Sequence, residues 1–379
     1  MMGSEQSHLD FKSVINLGSF YTPPYLVKIV FDLLKKQGVN TDQYLIVDTS
    51  CGYGSFLQGK KVIGLDIDAS ALAQAALLNP HAKLVHTNSL LDVQRSRYGI
   101  AGTDKIIIVG NPPYNDRTSY IRSRIKQNKY AIDSDIKSRD LGLSFLLSYN
   151  KLQADYVCVL HPLSYLIKKT NFKVLQPFTA HYRLLDSVLI SSADFAQTSK
   201  TTQFPIIIAL YKRAPEDGMD YSFIQNQLWR TIEGKTWLLK QFDTVDNYIT
   251  KYPNTKRIAP EKTVGFFWNL RDINALKRSK TFVETENCST IRITQEQFPY
   301  YCYIDIFKDH IQHIPYYFGN CNIFIDHDNF MALKDIFVQK VCAKYPFLSR
   351  AAAVKNQERS ADTVLNGYFR HLLHNHYLD

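Results

Sequence analysis

Lys105-Ile106-Ile107-Ile108-Val109-Gly110-Asn111-Pro112-Pro113-Tyr114 is the stretch from which the rest of the chain can be read. Its first half is a run of β-branched residues, the pattern of a strand buried on both faces of a parallel sheet. Its second half is the turn that leaves the strand. In open α/β sheets, ligands bind outside the carboxyl ends of the strands. The two prolines remove backbone donors and stiffen the turn. What the turn still offers is the amide of Asn111, free carbonyls and the ring of Tyr114. Such a set can hold a planar amino group by its hydrogens, with no base to deprotonate it.

Working outward, strands and helices alternate. Thr22-Pro23-Pro24 opens a helix whose apolar face is Leu26, Val27, Ile29, Val30, Leu33 and Leu34, closed by Gly38, with Thr22 as its N-cap. Strands are predicted at 44–48, 61–66, 83–87 and 105–110, with an alanine-rich helix from Asp68 to Leu78. A helix near 140–153 and strands at 155–160, 184–190 and 204–211 follow. This alternation predicts an α/β fold with a doubly wound, mostly parallel seven-stranded sheet. The polar turn Ala214-Pro215-Glu216-Asp217-Gly218 is read as the boundary of a first domain, 1–218. Residues 219–379, where the alternation fades, form a second domain of mixed structure.

Composition narrows the partners. A net charge of +10 and a pI near 9.1 favour a polyanion, nucleic acid above all. The 24 Tyr and 22 Phe mostly fill the core, but rings can also stack on bases. No apolar run is long enough to span a bilayer and the first residues carry no apolar signal core, so the expectation is a soluble cytoplasmic protein with no membrane partner. None of the six cysteines is spaced as a metal-binding pair, so they read as buried free thiols. His371, His374 and His376 read as a helix end rather than a metal cluster.

Four carboxyl-end turns carry ligand-type residues in order. Asp48 leads into Cys51-Gly52-Tyr53-Gly54, where glycines let backbone approach a ligand. Asp66 ends the next strand, placed to bond ribose hydroxyls. Asn88 and Ser89 end the third, and Asn111 to Tyr114 the fourth. Any one of these fits an ordinary tight turn; four in series fit a nucleoside site beside an amino-group site.

At this point the chain resembles a known family, the S-adenosylmethionine-dependent N6-adenine DNA methyltransferases of the γ arrangement. In that arrangement a Thr-Pro-Pro segment precedes the cofactor turns, the Asn-Pro-Pro-Tyr turn and a final target-recognition domain. Phe20-Tyr21-Thr22-Pro23-Pro24 is similar to the first element, Asp48 to Leu57 to the cofactor loop, Gly64 to Asp68 to the ribose-binding strand end, and Asn111 to Tyr114 to the catalytic turn. The resemblance is specific over residues 20–115, looser to about 213, and silent beyond. It implies S-adenosylmethionine as cofactor, held by Tyr21, Thr22, Asp48, Ser50, Cys51, Gly52, Gly54, Asp66, Ile67, Asn88, Ser89 and Phe145. Asn111, Pro112, Pro113 and Tyr114 would be catalytic, with Tyr114 and Phe195 flanking the target base, and no metal. His161-Pro162-Leu163-Ser164 resembles the family's later strand end. One departure is Asn88, where the family usually has Asp; an asparagine oxygen can accept the same adenine bond without charge.

The implied function is a site-specific adenine methyltransferase acting on double-stranded DNA, the modification enzyme of a restriction-modification system. It is expected as a monomer, any partner endonuclease being a separate chain. The stretch 117–139, seven positive residues to two negative, would clamp phosphates through Arg122, Arg124, Lys126 and Lys129. Arg271, Lys277, Arg278 and Lys280 form a second basic cluster. The alternatives are an RNA or protein-glutamine amino-methyltransferase, which shares the turn, and a catalytically silent nucleic-acid-binding relative.

Overall fold

Seven strands form the central sheet, in the order β3-β2-β1-β4-β5-β7-β6. They are β1 Leu45–Asp48, β2 Val62–Asp66, β3 Lys83–His86, β4 Ile106–Gly110, β5 Tyr156–Pro162, β6 Tyr182–Ser191 and β7 Pro205–Arg213. β1 through β5 pair in parallel. β7 inserts antiparallel between β5 and β6. The sheet is therefore doubly wound and mostly parallel, with one reversed strand. The computed structural model describes residues 22–114, 131–195, 203–254, 258–351 and 361–379.

β4 sits in the middle of the sheet, and Ile106, Ile107, Ile108 and Val109 are all buried. Each such side chain contributes roughly 1.5–3 kcal/mol by leaving water. That explains why the run is continuous rather than alternating. Helix α1, Pro24–Lys36, lays Leu26, Val27, Val30, Leu33 and Leu34 on the sheet. Its N-cap position is Pro23, with no side-chain cap, so Thr22 does not cap the helix as its sequence position predicts. A proline at the first helical position has no N–H to satisfy, and the Thr22 hydroxyl is left for another partner. Helix α2, Ala69–Leu78, is capped as expected, Asp68 Oδ1 accepting from Ser70 and Ala71. Helix α3, Leu141–Lys151, is capped by Asp140 and almost wholly buried.

The chain divides into two compact units. The first runs to Leu238 and the second from Leu239, with Thr202–Phe204 counted with the second. The polar turn at 214–218 lies inside the first unit, which continues through helix Tyr221–Asn226 and the hairpin Leu228–Arg230 with Thr236–Leu238. The second unit is of mixed structure. A three-stranded antiparallel sheet, Gly265–Trp268 flanked by Phe282–Val283 and Thr290–Ile293, lies with helices Phe298–Asp309, His327–Lys344 and Ala361–Leu373. Its core is aromatic: Tyr303 contacts Phe330, Phe337, Tyr368 and Phe369. Of the C-terminal histidines, His376 belongs to this packing, buried with its Nδ1 2.8 Å from the Tyr317 hydroxyl, while His371 and His374 are exposed. All six cysteines are free; Cys288 is exposed and the others are buried. Among the described residues no helix is long and apolar enough to cross a membrane.

Candidate active site

The turns after β1, β2, β3 and β4 converge on one cleft with an empty volume of about 1100 Å³, part of it open to solvent. Residues 49–53, 67–68, 87–90, 111 and 113 all line it, as do Thr22, Asp48, Asp66 and Phe145. The series of ligand-type turns is thus one place in space.

Asp66 shows how the turns are locked together. Its two carboxylate oxygens accept the N–H of Gly52 and of Asp68, each at 2.8 Å. Burial raises its carboxyl above the ordinary value, while the backbone N–H groups of Asp68 and Gly52 pull it down. Each oxygen keeps lone-pair capacity toward the cleft. Gly52 has φ +51° and Gly54 φ +81°, conformations that suit glycine. Gly54 does not line the cleft. A Cβ there would lie 2.5 Å from Asn79 Nδ2, so this glycine lets the loop pack on α2.

Asp48 is 1% exposed, and burial pushes its carboxyl up to about 8, partly offset by the Ser50 N–H and reinforced by Asp66. Gly110, at φ +145°, brings the end of β4 against this carboxylate: a Cβ would stand 2.7 Å from Asp48 Oδ1. Ser50 donates its N–H to Asp48 Oδ1 at 3.1 Å, while its own hydroxyl is buried with no partner among the described residues. Cys51 is buried, its thiol pushed up by burial, so it is packing rather than a nucleophile. Ser89 is spent on the scaffold, its hydroxyl donating to the Thr49 carbonyl at 2.6 Å. Asn88 is also spent: Nδ2 donates to the Ala131 carbonyl at 2.6 Å and Oδ1 accepts from Leu90 N–H at 3.0 Å.

The Asn-Pro-Pro-Tyr turn is held from two sides. Asn111 Nδ2 donates to Thr22 Oγ1 at 3.2 Å, the partner that the vacant cap position leaves available. Asn111 Oδ1 is buried and accepts nothing among the described residues. Tyr114 is half-buried against Gly142, where an added Cβ would come within 2.9 Å of Tyr114 Cβ. Burial and the Asp140 carboxylate hold its hydroxyl well above the usual range, so the ring stays neutral. Asp140 also accepts from the Tyr165 hydroxyl and from Gly142 N–H. His161 stacks on Tyr165 and meets the Tyr211 hydroxyl at 2.7 Å; burial pushes its pKa down to about 4, and it is neutral at pH 7.

Pro112 is buried and, like Tyr114, is not among the cleft-lining residues. Phe195 is 1% exposed and does not line the cleft either. It follows the turn whose Asp194 Oδ1 accepts from the Tyr25 hydroxyl at 2.9 Å. Tyr21, Arg122, Arg124, Lys126 and Lys129 lie outside the described residues. Ala131, Ile132 and Leu141 line the cleft without a signal in the sequence: an apolar side chain there reads like any core residue. Among the described residues no group of three or more His, Cys, Asp and Glu is placed to hold a metal.

No protein-family model and no curated protein sequence matches the chain. Solved structures with a similar fold include a type I restriction-modification system methyltransferase subunit from Streptococcus thermophilus, at 16% identity and TM-score 0.40, covering 59% of this chain and 48% of that one. The N-methyltransferase NodS from Bradyrhizobium japonicum, in complex with S-adenosyl-L-homocysteine, covers 54% of this chain and 97% of its own at 11% identity and TM-score 0.33. A dimethyladenosine transferase from Plasmodium falciparum covers 51% and 62% at 13% identity and TM-score 0.32. These are likenesses of fold. The fold itself is defined by the strand order and the one reversed strand: the first unit has the Rossmann-like methyltransferase fold.

Proposed function

We propose that the chain is an S-adenosylmethionine-dependent DNA methyltransferase. It modifies the exocyclic N6 of an adenine flipped out of double-stranded DNA, as the modification enzyme of a restriction-modification system. The observation that carries this reading is the Asn111 amide. Its nitrogen is tied to Thr22, so its oxygen is the end left over, buried on the cleft and unpartnered among the described residues. A buried acceptor without a donor costs about 1–3 kcal/mol, which a bound donor returns. An exocyclic amino group is such a donor.

The cleft fits the cofactor. Asp66 has lone pairs for ribose hydroxyls. The buried Asp48 carboxyl and the Ser50 hydroxyl, unpartnered among the described residues, suit the ammonium of the amino-acid end. When bound, S-adenosylmethionine supplies a methyl already activated by its sulfonium. The chain's own task is the amine, whose lone pair is delocalised into the ring. Asn111 Oδ1 and the Pro112 carbonyl each accept one amino hydrogen. That frees the lone pair and stabilises the positive charge that develops on nitrogen. Tyr114 stacks on the extruded base and offsets part of the flipping cost. Phe195, the proposed second wall, would have to uncover a face on base entry. Arg122, Arg124, Lys126 and Lys129 hold phosphates without reading sequence, and residues 219–379 choose the site.

Single-turnover methylation of an adenine-containing duplex tests the reading, with cofactor and DNA binding measured in parallel. Asn111→Ala should keep both affinities within a few-fold and lose at least ~10²-fold in rate, the scale of deleting one such contact. A wild-type rate in that variant would reduce the turn to a structural element. Methylation-sensitive sequencing of DNA from expressing cells would give the base and the site together.

A further inference from the structure

The resemblance drawn from the sequence puts Asn88 where an acidic residue would reach the cofactor's adenine. Here both ends of its amide are used inside the protein. Ala131 offers a carbonyl, which only accepts, and Leu90 an N–H, which only donates, so one amide orientation satisfies both. An aspartate at 88 would instead set a carboxylate oxygen against the Ala131 carbonyl.

The contact is one of a set. Asp133 N–H donates to the Leu90 carbonyl at 2.9 Å. The Asp133 carboxylate accepts from Asp92 N–H at 2.7 Å and Val93 N–H at 3.0 Å, and meets Lys151 Nζ at 2.9 Å. Asp92 carries φ +51°, a conformation that a non-glycine residue adopts at a cost, and the bond to Asp133 holds it there. Residues 131–133 are therefore laced to 88–93. Ala131 and Ile132 line the cleft; Asp133 does not.

We infer that Asn88 is a positioning residue: its amide latches residues 131–133 to the turn after β3 and so builds the wall on which the cofactor's nucleobase packs. The nucleobase is then held at this end by packing, and its amino group takes no bond from Asn88. The inference rests on the cleft being a nucleoside site.

The test uses the full-length chain and two probes, S-adenosylhomocysteine and its hypoxanthine counterpart, in which an oxygen replaces the adenine amino group. Calorimetry should show Asn88→Asp and Asp133→Asn each weakening S-adenosylhomocysteine about tenfold or more, the equivalent of one lost hydrogen bond. The Asp133 variant is the more telling, because that side chain never faces the cleft. In Asn88→Ala the preference for adenine over hypoxanthine should stay within about twofold of wild type, since groups that do not touch are additive. Hydrogen exchange at the Asp133 amide should speed up in Asn88→Ala without ligand. Equal or tighter binding by Asn88→Asp overturns the latch, as does a ratio of adenine to hypoxanthine affinity in Asn88→Ala that departs by more than about twofold from wild type, or unchanged exchange at Asp133. If the wild-type chain binds neither probe, the nucleoside reading fails, and the exchange measurement still judges the latch.

Discussion

Thr22→Val is the perturbation that separates the position of Asn111 from its presence. Valine matches threonine in shape, so the cleft keeps its volume, while Asn111 Nδ2 loses the acceptor at 3.2 Å. The amide then has a donor without a partner in a site where Thr22 is 5% exposed. That costs about 1–3 kcal/mol, and rotating the amide to find another partner relieves it. The rotated amide presents NH₂ where Oδ1 belongs. Restoring the productive orientation in the transition state then requires the same 1–3 kcal/mol, which corresponds to a rate loss of roughly 5- to 150-fold. Thr22→Ser keeps the hydroxyl and should stay within about threefold of wild type. The assay is single-turnover methylation at saturating cofactor and DNA, so that any effect of Thr22 on affinity drops out. If the Val variant runs at the wild-type rate, or the Ser variant falls as far as the Val one, the Thr22 hydroxyl does not set the amide.

Three further outcomes follow from the same cleft. Asp48, raised to about 8 from its ordinary 3.8, binds a proton more tightly folded than unfolded, so its contribution favours the fold below pH ~4 and is lost as pH rises through about 8. At pH 7 such a group is mostly protonated, and binding the cofactor's ammonium should release up to about one proton, as should binding the product, which carries the same ammonium. Calorimetry in buffers of different ionisation enthalpy reads this directly, and zero release would mean that Asp48 is already ionised or does not face the cation. Gly110→Ala forces a Cβ to 2.7 Å from Asp48 Oδ1 at φ +145°, and urea unfolding should show a loss of at least about 2 kcal/mol; an unmoved midpoint would show that β4 can draw back. Asp66→Ala removes a charged acceptor together with the two N–H bonds that lock the turns, so cofactor affinity should fall by at least about tenfold, and unchanged affinity would take Asp66 out of the site.

The sheet was legible because its central strands β1, β2, β4, β5 and β7 are largely apolar runs and its turns carry glycine, proline and acid at the carboxyl ends. The direction of β7 was not legible. Pro205 to Arg213 is apolar almost throughout, and such a run carries no mark of orientation. At the site, the residue types of Asp48, Asp66 and Asn111 pointed to the cleft, and the structure brings them to it. Partnership was beyond reach. Thr22 and Asn111 are 89 residues apart, and the sequence placed Thr22 as a helix cap. The Asn88 amide is set by the backbone at Ala131, which no side-chain pattern announces. The state of Asp48 is set first by its burial, a matter of packing rather than composition.

Helix α1 rests on β5 and β7, with the Cys158 thiol 3.5 Å from the Val30 carbonyl. It is the first described element made and among the last able to dock, because its seat is built from strands that leave the ribosome much later. Thr22 rides at the start of that helix. The bond from Asn111 to Thr22 therefore depends on a helix whose seat is built from later strands of the sheet. The alignment of the Asn111 amide thus rests on contacts between distant parts of the chain, the kind whose loop-closure cost must be met before they stabilise anything.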